Sequence, residues 1–423
     1  MTAHGVDPDR LRVLFLTHRL PFAPNRGDRI RAFHMLRYLR EHADVYLLSL
    51  VHDSAETNES VALPPERVTV VRTTPWRNKV RSALLLPTSQ PLTHTLLDAP
   101  DLQSSLVSMV RTSRPDVVLA YCSGVARLAL TKPLSAIPLV LDMVDVDSAK
   151  WAALSDTTAP PLGWIYGREA RCLGRFESEI VAHATTTLVV NERERRTLAQ
   201  ASPEADIRTI PNGIDLEHFR PTDPLRSSAP RVVFCGVMNY QPNEEAAIRL
   251  MQQIWPRVLQ SLPDASLVIV GAHPTPRLQQ IAGRDLSIEV TGTVPDVRSY
   301  LWNAAVSIAP LNTARGIQNK VLEALAAELP VVITPAVAEG LPSGVMPGCI
   351  VAVDDEKAAE AVLSLLRLSV SERREMAGRA DLADLGWTTQ LAPLMPILRT
   401  AAGGADHPLA SGQSRATPAG LII

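Results

Sequence analysis

Lys320 and Glu323 stand three residues apart in ARGIQNKVLEALAAELPVVIT (residues 314–334), where a glycine opens a helical pattern that runs into a short apolar strand. That spacing puts both side chains on one face of a helix. The free NH groups and the dipole at the start of such a helix suit an anion as large as a diphosphate, with Lys320 adding a point charge. Glu323, one turn further in, would accept hydrogen bonds from ribose hydroxyls. Gly316, Ile317 and Asn319 would form the turn that meets the ligand. The alternative is an ordinary ion pair between Lys320 and Glu323 on a solvated face.

Other candidates fall just after apolar runs. In FCGVMNYQPNEEAA (residues 234–247), Gly236 lets a backbone approach a phosphate closely, and Asn239, Gln241 and Asn243 follow it. The same glycine also serves if it merely tightens a turn. Gly271, Gly292 and Val294 end two further runs. Earlier in the chain, Gly27 sits in PNRGDRIR before a helix, and Arg26 or Arg29 could neutralise a leaving diphosphate. A loop glycine with solvated arginines is the plainer reading. Asp142, Asp145 and Asp147 crowd the end of another run. Three carboxylates there must be solvated, paired or used. Asp142 is a candidate for contact with an acceptor hydroxyl, Lys150 is a candidate partner for the cluster, and Asp147 with Ser148 reads equally as a helix N-cap.

These residues need sheets to hold them. RVLFLTH (12–18), DVYLLSLV (44–51), RVTVVR (67–72), DVVLAY (116–121), PLVLDMV (138–144) and TTLVV (186–190) are short apolar runs separated by helical spacing. The longest helical stretch is expected from about Trp164 to Ala184. After the polar FRPTDPLRSSAP (219–230) the alternation restarts with RVVFCG, SLVIVG, SIEVTG, VSIAP, PVVIT and CIVAV. The pattern predicts two Rossmann-like, doubly wound parallel-sheet domains facing across a cleft, with chemistry beyond the carboxyl ends of the strands. Residues 1–222 are expected to form the acceptor-side domain, 229–400 the donor domain, and 401–423, rich in Gly, Ala, Ser and Pro, a flexible tail.

The 423 residues are 46% hydrophobic and 20% charged, which excludes disorder over most of the length and gives enough chain for two cores. A net charge of −2 offers no global basic field for nucleic acid. The four cysteines are far apart without a CxxC pair, so no zinc site is indicated and a reducing cytoplasm fits. The polar start MTAHGVDPDR is unlike a secretory signal, and no run approaches the ~18 apolar residues of a membrane span. RTTPWRNKVRSALLLPTSQP (72–91) gathers Arg72, Arg77, Lys79 and Arg81 around Trp76 and Leu84, so it is either a peripheral contact with an anionic inner membrane or a helix with a solvated face.

The segment 314–334 is similar to the donor-binding helix of family 4 GT-B glycosyltransferases. Glu323 matches the second glutamate of that family's motif and Gly316 the glycine after the first, while Arg315 stands where the first glutamate would be. IPNGIDLEHFRP (210–221) resembles the family's domain-junction motif. With RLPFAPNRGDRIRAFHMLRYL, LDMVDVDSAKW and MNYQPNEEA, the resemblance extends over about residues 11–400 and points to the sugar-transferase branch associated with exopolysaccharide and PEP-CTERM export. It implies a retaining, metal-independent transfer of a hexose from a UDP- or GDP-sugar, with no other cofactor, to a saccharide or lipid-linked acceptor. In such a reaction Lys320, Glu323 and Asp142 would act at the reacting groups, and stabilising the departing diphosphate would be the main catalytic work. A nucleotide-sugar 2-epimerase and a non-catalytic scaffold with the same architecture are the alternatives.

Overall fold

The computed structural model describes residues 10–22, 27–52, 61–222, 229–314 and 317–403. The first sheet has seven strands: β1 (Arg12–Thr17), β2 (Asp44–Val51), β3 (Val68–Arg72), β4 (Val117–Tyr121), β5 (Leu139–Val144), β6 (Thr186–Val189) and β7 (Ile207–Thr209). Its order is β3-β2-β1-β4-β5-β6-β7, with every pairing parallel. The second has six: β8 (Arg231–Cys235), β9 (Ser266–Val270), β10 (Ile288–Val290), β11 (Val306–Ala309), β12 (Val331–Ile333) and β13 (Cys349–Val351). Its order is β10-β9-β8-β11-β12-β13, again all parallel. Each sheet therefore runs 3-2-1-4-5 outward from its first strand, the Rossmann order, and reverses direction beside that strand. β1, β4, β8 and β9 are almost wholly buried Val, Leu, Ile and Phe, the composition that strands covered on both faces require.

The helices that bear on the sites are α1 (Gly27–His42), α2 (Pro75–Leu84), α3 (Leu92–Leu96), α4 (Asp147–Thr157), α5 (Leu162–His183), α6 (Leu216–Phe219), α7 (Gln241–Arg249), α8 (Arg298–Trp302), α9 (Asn319–Ala326) and α10 (Leu394–Gly403). The long helix predicted near 164–184 is α5. Every strand predicted from the sequence is present. β7, only three residues long, is the additional one.

The chain forms two compact units, residues 1–212 with 391–423 and residues 213–390. This differs from the expected division in two ways. The boundary falls inside the IPNGIDLEHFRP motif, between Asn212 and Gly213, and not in the polar stretch that follows it. The chain also returns to the first unit at Leu391: α10 packs on β4 and β5, burying Leu394, Met395, Ile397, Leu398 and Ala401. That helix has an apolar stripe at helical spacing, and the first sheet supplies the surface that covers it. Residues 404–423 of the expected tail lie outside the described residues.

The junction motif is held by its own residues. The Asp215 carboxylate accepts from the His218 NH (3.1 Å) and caps α6. The Trp302 indole donates to the Phe219 carbonyl (2.8 Å), and Arg298 donates to the carbonyl of His218 (3.2 Å). A Cβ on Gly213 would lie 2.6 Å from the backbone of Trp387, so only glycine lets these two segments touch.

Candidate functional site

In the second unit, the direction of winding reverses between β8 and β11, and two loops leave the carboxyl ends of these strands. After β8 comes Gly236, a turn through the exposed Asn239, and α7, which opens with a proline in its first turn. After β11 the chain reaches α9, whose first residue is the exposed Asn319 and whose second is Lys320. The Lys320 ammonium crosses from one loop to the other and donates to Asn243 Oδ1 at 2.5 Å. It also lies 5.0 Å from the centroid of the Phe234 ring, at the end of β8. Asn243, 7% exposed, turns its other end to the Val237 carbonyl (3.0 Å), which fixes the amide so that its oxygen faces the lysine.

Three ionisable groups around this point are shifted by burial. The Lys320 ammonium is pushed down to about 8, chiefly by desolvation, with Glu323 acting in the opposite sense. The Glu323 carboxyl is pushed up to about 7 by burial, against the attraction of Lys320. The Cys235 thiol is raised to about 12 by burial and by Glu323. Among the described residues no ion pair within 4.0 Å joins Lys320 to Glu323, so the ordinary i, i+3 pair is not what the spacing serves. Lys320 is instead a cation held by a neutral amide and an aromatic face, with its charge uncancelled by any carboxylate in contact.

The raised Glu323 carboxyl makes a prediction with a definite sign. The folded protein keeps a proton that the unfolded chain releases, so the stability this group contributes is full below about pH 4.5 and is lost as pH rises through about 7. Glu323→Gln removes the titration. Urea unfolding of the two proteins between pH 4.5 and 8 should show the variant gaining on the wild type by at most about 3 kcal/mol as pH rises. Parallel curves across that window would overturn the assignment of the buried proton to this residue.

The glycines divide by physical role. A Cβ on Gly236 would stand 2.8 Å from Asn243 Nδ2, so this glycine makes room for the asparagine that holds Lys320. Gly271 has φ +156°, and a Cβ there would overlap the carbonyl oxygen of Gly236. Gly292 is different: nothing lies within 4 Å of where its Cβ would be, and its φ of +72° is what selects glycine. Val294 is half-buried two residues further on, and Ile317 is 37% exposed just before α9. Arg315 and Gly316 lie outside the described residues, as does Arg26.

In the first unit, Gly27 is the first residue of α1, and Arg29 in the same turn is buried at 3% exposure. Asp142 requires a correction. Its carboxylate has no solvent exposure; Oδ2 accepts from Arg31 Nε of α1 (2.9 Å) and lies 2.8 Å from Nη2 as an ion pair, while the Val144 NH donates to Oδ1 (3.0 Å). Arg31, 2% exposed, also donates to the Pro211 carbonyl (3.3 Å) and to Asn212 Oδ1 (3.1 Å). A carboxylate so enclosed holds the end of β5 to α1 and, through Arg31, to Pro211 and Asn212, and does not reach an acceptor hydroxyl. The bond from Val144 accompanies a left-handed backbone at that valine (φ +64°) and a break in the β5–β6 register.

The other two acids behave as the alternative readings expected, in part. Lys150 bridges Asp145 (2.9 Å) and Asp147 (3.3 Å). Asp147 is the first residue of α4 and does not cap it. That duty falls to Glu177 of α5, which accepts from the Ser148 NH (3.0 Å) and from its hydroxyl. Burial raises the Glu177 carboxyl to about 7. Eight residues earlier on the same helix, Glu169 accepts from the NH groups of Leu92 and Thr93, both at 2.8 Å, at the start of α3. Sequence reasoning missed both glutamates; the signal was a carboxylate on the apolar face of a long helix, beside Phe176 and Ile180.

Residues 29–213 match the family model described as a glycosyl transferase 4-like domain, and residues 229–368 match the one described as glycosyl transferases group 1. The chain is a two-domain glycosyltransferase of the GT-B architecture. Among curated relatives, this glycosyltransferase is 30% identical over 239 residues to the phosphatidyl-myo-inositol mannosyltransferase of Mycobacterium tuberculosis, across 53% of this chain and 62% of that protein. The match thus spans less than two thirds of the relative's length. Among solved structures, the glycosyltransferase superposes on a sucrose-phosphate synthase from Thermosynechococcus elongatus with a TM-score of 0.60 at 15% identity, covering 92% of this chain and 99% of that one. It superposes on Anabaena HepE, crystallised with UDP and glucose, with a TM-score of 0.59 at 14% identity, covering 92% and 100%. At such identities these two likenesses establish the fold alone.

Proposed function

We propose that the protein transfers a hexose from a UDP- or GDP-sugar to a saccharide or lipid-linked acceptor, in the cytoplasm and in the making of an exopolysaccharide or glycolipid. The observation that carries this reading is Lys320, a half-buried cation with no carboxylate within ion-pair distance among the described residues, held by Asn243 and Phe234 where the second sheet reverses its winding. A leaving diphosphate supplies the missing anion. Glu323, one turn further along α9, faces the ribose hydroxyls. The HepE complex with UDP and glucose supports a uridine donor, and the name of the mycobacterial relative supports a lipid acceptor.

In this reading the bond from the sugar's anomeric carbon to the phosphate oxygen breaks while the acceptor oxygen bonds to the same face, giving retention. The acceptor's proton passes to the departing phosphate, and no metal takes part. The chain's work is to stabilise the charge that builds on the diphosphate, through Lys320 and the first NH groups of α9.

Incubating the purified protein with UDP-, GDP- and dTDP-sugars and a membrane extract tests this. Mass spectrometry should find one glycosylated acceptor, with nucleoside diphosphate released in equal amount. Conversion of a nucleotide sugar to its C2 epimer without acceptor would instead indicate an epimerase. Tight nucleotide-sugar binding with no turnover in any acceptor pool would indicate a scaffold.

A further inference from the structure

Helix α2 is amphipathic in the inverted sense. The residues it buries are polar, Asn78 and Ser82, whereas Trp76 (78% exposed), Val80 (46%) and Leu84 (74%) face outward. These three recur every fourth residue and so form one stripe along the helix. A helix packed only for a globular fold turns such a stripe inward. Here the polar side is what anchors it: Asn78 Nδ2 donates to the carbonyls of Leu96 (3.2 Å) and Asp98 (2.7 Å), at the end of α3.

The stripe is also rigidly presented. Arg168 of α5 donates to the carbonyls of Leu85, Leu86, Thr88 and Gln90 at 2.6–3.0 Å, fixing the loop that follows Leu84. One turn before Arg168 on the same face of α5 stands Trp164, 73% exposed, with Leu162 at 45% beside the start of that helix. Trp76 and Trp164 thus stand exposed on the two helices that Arg168 and this loop tie together.

Charge decides what this surface fits. Arg77, Lys79 and Arg81 are exposed and interleave with Trp76, Val80 and Leu84. Next to them a cavity of about 280 Å³ is lined by Arg77, Asn78, Arg81, Asp98, Gln103 and Arg127, three guanidinium groups against a single carboxylate. Asp98 takes Arg81 at 2.8 Å and Arg127 at 3.8 Å, which leaves a positive excess. Apolar side chains with tryptophan, basic neighbours at the same level and a basic hollow of headgroup size are the features that bind an anionic bilayer surface.

We infer that α2 and the Leu85–Gln90 loop dock this glycosyltransferase on an anionic phospholipid bilayer, the apolar stripe entering the acyl boundary and the arginine-lined hollow receiving a headgroup phosphate. This rests on the proposed function only in that it places the enzyme beside a lipid-linked acceptor.

Co-sedimentation of the full chain with vesicles of phosphatidylglycerol in phosphatidylcholine tests it. The wild type should bind these vesicles, lose them at high salt, and ignore pure phosphatidylcholine. Trp76→Ser/Leu84→Ser should bind at least about tenfold more weakly, as two exposed apolar anchors are removed. Arg77→Ser/Lys79→Ser should weaken binding by about 25-fold, each cation beside an anionic surface being worth about fivefold. Titration with a nucleoside diphosphate serves as the control for folding and should be the same in all three proteins. Wild-type protein that fails to sediment with phosphatidylglycerol, binds neutral vesicles equally well, or hides its tryptophans by dimerising without lipid overturns the inference. Each of those results leaves the transferase reading intact, since that reading stands or falls on nucleotide binding and product formation.

Discussion

Asp142→Ala should destabilise the protein by about 3–5 kcal/mol, the usual consequence of leaving one member of a buried ion pair uncompensated. Arg31 is 2% exposed, so its charge stays buried when the carboxylate is gone. Its remaining acceptors, the Pro211 carbonyl and Asn212 Oδ1, are neutral and can share its hydrogen bonds but not its charge. Removing the cation should be milder. In Arg31→Met the stranded carboxyl can take up a proton, and the Val144 NH still bonds it, so the loss should shrink as pH falls. The double change Arg31→Met with Asp142→Leu should cost much less than the sum of the single changes, since no isolated charge remains. Chemical denaturation of the three variants checks the order. Should Asp142→Ala keep full stability and lose only transfer, the residue would belong to the reaction after all, and the structural role assigned to it here would be wrong.

That reversal shows what a sequence carries and what it withholds. The strands were legible because each is a short apolar run between segments of helical period, and the parallel order followed from their alternation. β7 was not, because Ile207–Thr209 is too short to show a period. The apolar spacing in α10 announces a helix, yet nothing local says that it packs on β4 and β5 after the second unit is complete. Long-range polar pairing was the least visible. Arg31 and Asp142 are 111 residues apart, and Lys320 meets an asparagine 77 residues before it. Asn243 looked like one of several polar residues following a glycine. Its importance lies in an orientation set by the Val237 carbonyl, which only coordinates reveal.

Lys320→Ala should weaken nucleoside diphosphate binding by about 1.5–3 kcal/mol, the scale of a hydrogen bond to a charged group. The state of the ammonium before the ligand arrives sets the size of the effect. Burial has brought it down to about 8, so near neutral pH it is mostly charged but poorly solvated, with an amide oxygen and the Phe234 ring as its company. A diphosphate that approaches such a cation displaces little water and gains a strong, short-range attraction. It also favours the protonated form, so binding should be steady below pH 7 and fall as pH rises through about 8. Lys320→Met separates charge from packing, because a methionine still fills the space against Phe234 but cannot donate to Asn243. Its affinity should match that of the alanine variant and show no decline near pH 8. Isothermal titration of the wild type and both variants between pH 6 and 9 reads each of these outcomes. Equal affinity in all three proteins would separate the diphosphate from Lys320 and leave this cation as part of the packing between α7 and α9, with the donor bound elsewhere.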